Sequence, residues 1–224
     1  MCGRFALIDA AEQLAVQFDL PPITDLAPRY NIAPTQPVLA VRQAQGQGGR
    51  EWALLRWGLI PSWSKDIAIG NRLINARGET VAEKPSFRAA FKRRRCLIPA
   101  SGFYEWQKQG KTKQPIYITP TNGGMFALAG LWEQWLGADG SELESCTIVT
   151  TTPNELMASI HNRMPVIVAP EDYDTWLASE PNPSLGLHLI RPYPPELMQI
   201  TAVSTYVNSP RHEGPQCVAP MRKM

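Results

Sequence analysis

From Cys96 to Thr151 the chain runs as short strand-like segments broken by glycine, and this rhythm limits the available folds more than any other feature. The segments are Cys96 to Ala100, Gly102 to Gln107, Pro115 to Thr119, Met125 to Gly130 and Cys146 to Thr151. Branched and aromatic residues fill them, as suits a pleated, half-buried surface. Gly110 and Gly123-Gly124 supply turns tight enough to make neighbours antiparallel. Upstream, Val38 to Val41 and Trp52 to Trp57 read as two strands joined by a turn at Gly46 to Gly49. Downstream, Val166 to Val168 and Leu197 to Val203 read as two more.

Helical patterns are few and short. Asp9 and Glu12 form a capping-box spacing ahead of the apolar face Leu14, Ala15 and Phe18. Ser86 to Arg94 reads as a helix running into the basic cluster Lys92-Arg93-Arg94-Arg95, Pro153 opens one that ends near His161, and Glu171 to Leu177 forms another. Two stretches read as loops: a proline-rich one containing Pro21, Pro22, Pro28, Pro34 and Pro37, and a long, weakly periodic one from Gly58 to Arg77. Loops as long as the second usually carry function. Strands that outnumber helices without alternating with them predict an α+β fold, a curved, mostly antiparallel β-sheet or barrel with short flanking helices. No internal repeat or linker divides the chain, so residues 1–224 are expected to form a single domain.

The chain has 224 residues, 44% of them hydrophobic and 19% charged, which is enough to bury a sizeable core. Its formal charge of +2 decides nothing about nucleic acid, because an electrostatic footprint depends on clustering. No apolar run approaches the roughly 18–20 residues of a membrane span, and the N-terminus lacks the basic-then-apolar pattern of a secretion signal. A cytoplasmic protein is the expectation. Its four cysteines, Cys2, Cys96, Cys146 and Cys217, contain no C-x-x-C pair, so they are expected as free thiols, with no metal site and no cofactor.

Cys2 has an unusual address. Removal of Met1 would place a free α-amine beside its thiol, with pKa values near ~7.7–8.0 and ~8.5. Such a 1,2-aminothiol condenses with an aldehyde: the amine forms a Schiff base, then sulfur closes a five-membered thiazolidine. If Cys2 to Phe5 run as a strand, Cys2 and Arg4 share one face while Phe5 enters the core from the other. Arg4 would then favour both nucleophilic forms.

Other residues offer matching chemistry. Glu105, within Ser101-Gly102-Phe103-Tyr104-Glu105-Trp106, is a carboxylate among aromatics, a setting suited to general acid–base work. Asn75 and Arg77 would share a face if extended, and suit an anion or a sugar oxygen. His161 can move a proton near neutrality, and Arg163 can hold a phosphate. Trp63, beside Pro61 in the long loop, is the tryptophan among seven most expected to stay exposed. Nucleophile-elbow, zinc-protease, Walker and dinucleotide signatures are all missing.

Taken in order, MCGRF, RYNIAPTQ, WGLIPSW, INARGET, RCLIPASGFYEW, IVTTTPN, IHNRMPVI and VNSPRHEGP resemble the SOS-response-associated peptidase (SRAP) family over nearly the whole chain. The resemblance implies a sensor of abasic sites in single-stranded DNA that crosslinks itself to the ring-opened sugar as a thiazolidine. By motif, Cys2 would be the nucleophile through amine and sulfur, Glu105 would assist ring opening and Schiff-base proton transfers, His161 would act on the sugar oxygens, and Asn75 would position sugar and amine. Arg4, Arg77 and Arg163 would contact phosphates, and Pro34 and Trp63 would stack or wedge at the bases. Ser64 departs from members with a second Trp there, which implies a smaller stacking platform. The Schiff base also acidifies neighbouring protons, so β-elimination at the 3′ phosphate, an abasic-site lyase activity, competes with ring closure. The same resemblance implies a bacterial monomer, nucleoid-associated when bound to DNA. Two alternatives stand beside it. One is a thiol (auto)peptidase using Cys2, His161 and Glu105 or Asn75. The other is a non-covalent single-strand-binding module using the arginines and Trp63.

Overall fold

The computed structural model describes residues 2–44, 48–178 and 184–221. Its strands in chain order are β1 (Phe5–Leu7), β2 (Arg29–Ile32), β3 (Pro37–Gln43), β4 (Arg50–Trp57), β5 (Asn75–Arg77) and β6 (Arg95–Ala100). There follow β7 (Gly102–Gln109), β8 (Thr112–Pro120), β9 (Phe126–Leu136), β10 (Glu142–Thr151), β11 (Met164–Pro165) and β12 (Met198–Ala202). The helices are α1 (Ala11–Phe18), α2 (Arg88–Arg93), α3 (Glu155–Ala158), α4 (Tyr173–Leu177) and α5 (Ser184–His188). None is long and apolar enough to cross a membrane.

Five strands close a barrel in the order β10, β4, β3, β6, β9, because β9 pairs back onto β10 from Gly130↔Ile148 to Leu136↔Glu142. Closure leaves these strands without free edges. A second sheet, ordered β12-β8-β7-β1-β2, packs against the barrel. Strand periodicity explains its two faces. Phe5, Leu7, Phe103, Ile116 and Ile118 join the main core with barrel residues such as Val38, Leu55 and Leu97. Their neighbours Ala6, Tyr104 and Tyr117 face the other way and are covered by Val203, Val207 and Cys217. By the same alternation, Glu105 falls on the main-core face with Phe103, and it is buried. The α+β class and the mostly antiparallel barrel agree with the sequence reading, and all four cysteines are free thiols.

Several local expectations need correction. Helix α1 is capped one residue later than Asp9: the Ala10 N–H donates to the Gln13 side chain (3.0 Å), and Asp9 instead accepts from the Ser101 hydroxyl. The proline-rich loop contains β2, held against β1 at Phe5↔Ile32. The Gly58 to Arg77 stretch is not a plain loop. It holds a 3₁₀ turn at Ile67–Arg72, capped by the Asp66 carboxylate, and then β5. Strand β5 is parallel to β10, as is the end of β4, so the sheet is mixed there. Val166 to Val168 forms no independent strand; it wedges between β9 and β10 through the hydrogen bonds Ala129 N–H to Val166 O, Val166 N–H to Val149 O and Val168 N–H to Ala127 O, each 2.9 Å. Of the turn expected at Gly46 to Gly49, Gly46 lies outside the described residues, while Gly48 and Gly49 have positive φ.

Gly58 shows how tightly the long segment is pinned. Its φ is +129°, and a β-carbon there would sit 2.5 Å from the Gly70 carbonyl oxygen. Gly58→Ala is expected to cost about 2–4 kcal/mol, from a strained dihedral and a backbone clash together. Gly110→Ala, at φ +60° with open space around it, should cost only about 1 kcal/mol. Urea-denaturation midpoints of the two variants check this difference.

Candidate active site

β10 outlasts its barrel partners. β4 pairs with it only at Ser145 and Cys146, and β9 reaches no further than Ile148. Beyond that point β5 takes one edge, through Ile148↔Asn75 to Thr150↔Arg77, and β11 takes the other at Thr150 and Thr151. Asn75 and Arg77 are therefore extended, as the sequence suggested, and Ala76 between them is buried.

Asn75 faces the N-terminus. Its Nδ2 donates to the Cys2 carbonyl at 2.8 Å, and its Oδ1 is buried with no hydrogen-bond partner among the described residues. Cys2 arrives by extension of the β1–β7 ladder. Phe5 pairs with Phe103, and the Tyr104 N–H donates to the Arg4 carbonyl at 2.9 Å, so the chain before Arg4 runs alongside Glu105. Cys2 is 0% exposed and Glu105 3%. Burial pushes the Cys2 thiol far up, the Glu105 carboxylate pushes it further, and the Arg4 backbone N–H draws it partly back.

The expected Cys2–Arg4 face does not form. The strand begins only at Phe5, so strict alternation does not extend back past Gly3. Cys2 joins the main core with Phe5, whereas the Arg4 guanidinium turns to the other face of the sheet. There Nη1 donates to Asn31 Oδ1 (2.7 Å) and to the Val207 carbonyl (3.0 Å), and the group lies 5.8 Å from the Trp106 ring. The cation expected to favour the thiolate is thus committed elsewhere, and burial governs the thiol.

His161 and Arg163 follow α3, which Asn154 caps through its side chain to the Met157 N–H (2.9 Å). Gln107, two residues past Glu105, donates to the Ser159 carbonyl at 3.1 Å and so ties β7 to the end of this helix. The Arg163 N–H lies 3.0 Å from His161 Nδ1, and the Arg163 carbonyl oxygen lies 3.3 Å from the same nitrogen. Arg163 is anchored across the end of β10. Its Nη1 and Nη2 meet the two Glu79 oxygens, and Nη2 also donates to the Thr150 carbonyl (2.7 Å). That hydrogen bond to Arg163, more than the nearby charges, holds the Glu79 carboxyl below its ordinary range; Arg77 adds to the effect.

Pro34 and Thr35 form the turn between β2 and β3, closed by the Gln36 N–H on Ala33 O (3.3 Å). Thr35 sits at φ +73°, an unfavourable region for a β-branched residue, and its N–H is fixed on Trp57 O at 2.8 Å. Trp63 is 59% exposed, with Nε1 on the Pro85 carbonyl at 3.4 Å. Cys2, Asn75 and Glu105 therefore share one buried corner, with His161, Arg77 and Arg163 around the adjoining end of β10. Arg4 points away from that corner, Pro34 lies in the β2–β3 turn, and Trp63 is exposed beside Pro85.

Sequence reasoning passed over Asn31 and Glu79. Both lie inside quoted motifs, RYNIAPTQ and INARGET, but their partners are 27 and 84 residues away along the chain, beyond the reach of any local pattern. Asn31 also binds the carbonyls of Ser209 (2.9 Å) and His212 (2.7 Å), which fastens the C-terminal segment over the second face of β1.

A family model described as SOS response associated peptidase (SRAP) matches residues 1–210. Abasic site processing protein YoqW of Bacillus subtilis is 44% identical over 223 residues, covering 97% of this chain and 99% of that protein. Abasic site processing protein HMCES of Xenopus tropicalis is 35% identical over 222 residues, covering 86% of this chain and 66% of its own length. Among solved structures, a Bacteroides thetaiotaomicron protein (Northeast Structural Genomics Consortium target BtR8) superposes with a TM-score of 0.89 at 26% identity, covering 99% of this chain and all of that one.

Two outcomes follow from this geometry. Asn31→Ala strips four hydrogen bonds and leaves the half-buried Arg4 with the Val207 carbonyl in place of two acceptors. It should cost about 2–4 kcal/mol and raise hydrogen exchange first in residues 204–218. The second concerns pH. Burial raises the Cys2, Cys96 and Cys146 thiols in the folded chain. An unfolded thiol ionises near ~8.5 while the folded one stays protonated, so stability is full below that pH and is lost above it, by up to about 1.4 kcal/mol per thiol per pH unit. Melting temperatures recorded from pH 7.5 to 9.5 should fall steadily; a flat profile would contradict the burial.

Proposed function

This chain belongs to the SOS response associated peptidase family, and we propose that it senses abasic sites in single-stranded DNA by joining the ring-opened sugar to Cys2 as a thiazolidine. The observation that carries the reading is the contact of Asn75 Nδ2 with the Cys2 carbonyl (2.8 Å) beside the buried Glu105. Once Met1 is removed, Asn75 Oδ1, a buried acceptor with no hydrogen-bond partner among the described residues, would orient the Cys2 amine.

The chemistry then balances within one chain, without metal or cofactor. The amine adds to the C1′ aldehyde to give a carbinolamine, and loss of water gives the iminium. The Cys2 sulfur adds to C1′ as its proton leaves, and the net product is thiazolidine plus one water. On this reading Glu105 relays protons in both halves, and His161 acts on the sugar oxygens. A neutral buried thiol is no obstacle to the second half, because a nucleophile on the same residue acts at very high effective concentration. For the same reason ring closure outruns β-elimination, and lyase activity is the minor outcome.

The peptidase reading has less support. A thiol peptidase needs a thiolate activated by a basic imidazole nitrogen, whereas this thiol is pushed up by burial. The purely non-covalent reading leaves the Cys2–Asn75–Glu105 corner without a purpose.

The test uses protein whose loss of Met1 is verified by mass spectrometry, mixed with a single-stranded oligonucleotide carrying one abasic site. A denaturant-stable band is expected, absent for Cys2→Ala and for an N-terminally acetylated sample. Glu105→Gln should slow its formation roughly 10²-fold or more with little change in DNA affinity. Crosslinking by the acetylated sample at the normal rate would overturn the thiazolidine.

A further inference from the structure

Arg163, beside the candidate site, is held by one carboxylate, that of Glu79. Glu79 lies two residues past Arg77 on the chain exit from β5 and faces both terminal nitrogens of Arg163. The Arg163 side chain is 12% exposed and that of Glu79 49%, so the carboxylate covers the guanidinium fork on its solvent side. The inner side is taken by Thr150, through its carbonyl (2.7 Å) and its Oγ1 (3.2 Å). Arg77 is exposed and near enough to lower the Glu79 carboxyl further.

A carboxylate and a phosphodiester present the same pair of oxygens to a guanidinium fork. The seat that a backbone phosphate would take on Arg163 is therefore already filled by the chain itself. We propose that Glu79 is a specificity-determining residue, an internal phosphate mimic that blocks Arg163 against undamaged strands and yields it only to a strand seated in the site. The inference rests on the DNA reading above and deepens it.

The physical reason is competition. An open arginine attracts every phosphate equally and carries no information about damage. With Glu79 in place, an undamaged strand must displace a tethered carboxylate to gain one contact, with no compensating interaction. A strand whose abasic sugar enters the Cys2–Asn75–Glu105 corner is held there, so its adjacent phosphate competes with Glu79 at high effective concentration.

This competition has a signature in salt. A phosphate that binds a free arginine adds about 0.7 to the slope of log K against log [salt] for a single strand. While Glu79 keeps the seat, an undamaged strand makes no contact with Arg163 and that increment is missing; removing the carboxylate restores it. A carboxylate whose only task is to hold Arg163 in place would add no increment on removal.

The experiment measures fluorescence anisotropy of an undamaged labelled oligothymidylate from 25 to 200 mM salt for wild type, Glu79→Gln, Arg163→Ala and the double variant. Crosslinking to an abasic oligonucleotide is assayed on the same samples. Glu79→Gln is expected to bind the undamaged strand roughly five- to tenfold more tightly, with a slope steeper by about 0.7, and to discriminate less between damaged and undamaged DNA. Adding Glu79→Gln to Arg163→Ala should change nothing, because the gain passes through Arg163. Weaker or unchanged binding by Glu79→Gln, or a gain that persists without Arg163, overturns the proposal while normal wild-type crosslinking leaves the DNA reading standing. Loss of both binding and crosslinking in the wild type overturns the two together. Melting temperatures confirm that each variant is folded.

Discussion

The end of β10 has to find partners for its backbone, and most of the site follows from that requirement. Inside the barrel β10 is paired on both edges, but it runs on past the point where β4 has ended and β9 has peeled away. Buried N–H and C=O groups cannot remain unpaired there without a penalty of about 1–3 kcal/mol each. Two separate segments answer the need, β5 on one edge and β11 on the other. Their side chains are carried along: Asn75 and Arg77 on one, and His161 and Arg163 just ahead of the other. Residues almost ninety positions apart meet because one strand runs on past the point where its barrel partners leave it.

The N-terminus completes the corner by a similar logic. Phe5 anchors it, packed edge-on against Trp57 at 5.3 Å and paired with Phe103. Arg4 draws the other face down onto the C-terminal segment through Asn31 and Val207. With one residue fastened on each face, the chain before them has little freedom, and Cys2 is delivered to Glu105 and Asn75. The same fastening buries the thiol, which favours its protonated form. On the proposed mechanism that is an advantage, because the amine reacts first and the sulfur acts only afterwards.

How much of this was legible in the sequence depended on the distance over which the signal acts. Runs such as Cys96 to Ala100 and their glycine turns announced strands, because side-chain periodicity and turn chemistry are local. The motif residues Cys2, Asn75, Glu105 and His161 could be named because each has a distinctive chemistry or belongs to a recognisable run. Which strands close the barrel was not legible, since β9 returning to β10 leaves no local mark. Nor was the role of Arg4: strand alternation assigned it to the side of Cys2, and the alternation failed because the strand starts three residues later. Asp9 illustrates the opposite error, a good local capping pattern displaced by a tertiary contact with Ser101.

Electrostatics gives the arrangement its remaining logic. The formal charge is only +2, and many arginines are spent internally: Arg42 on Glu51 and Glu144, Arg50 on Asp174, Arg94 on Glu133 and Arg163 on Glu79. Each cation so engaged is withdrawn from the counterion-release term that dominates non-specific binding to nucleic acid. On the proposed mechanism, a chain built this way would hold an undamaged strand weakly and let it go. Retention at a lesion would then come from the covalent bond, which forms only with an aldehyde, and discrimination would rest on chemistry at C1′ instead of on the number of phosphate contacts. That division of labour would suit so modest a positive charge to the proposed task.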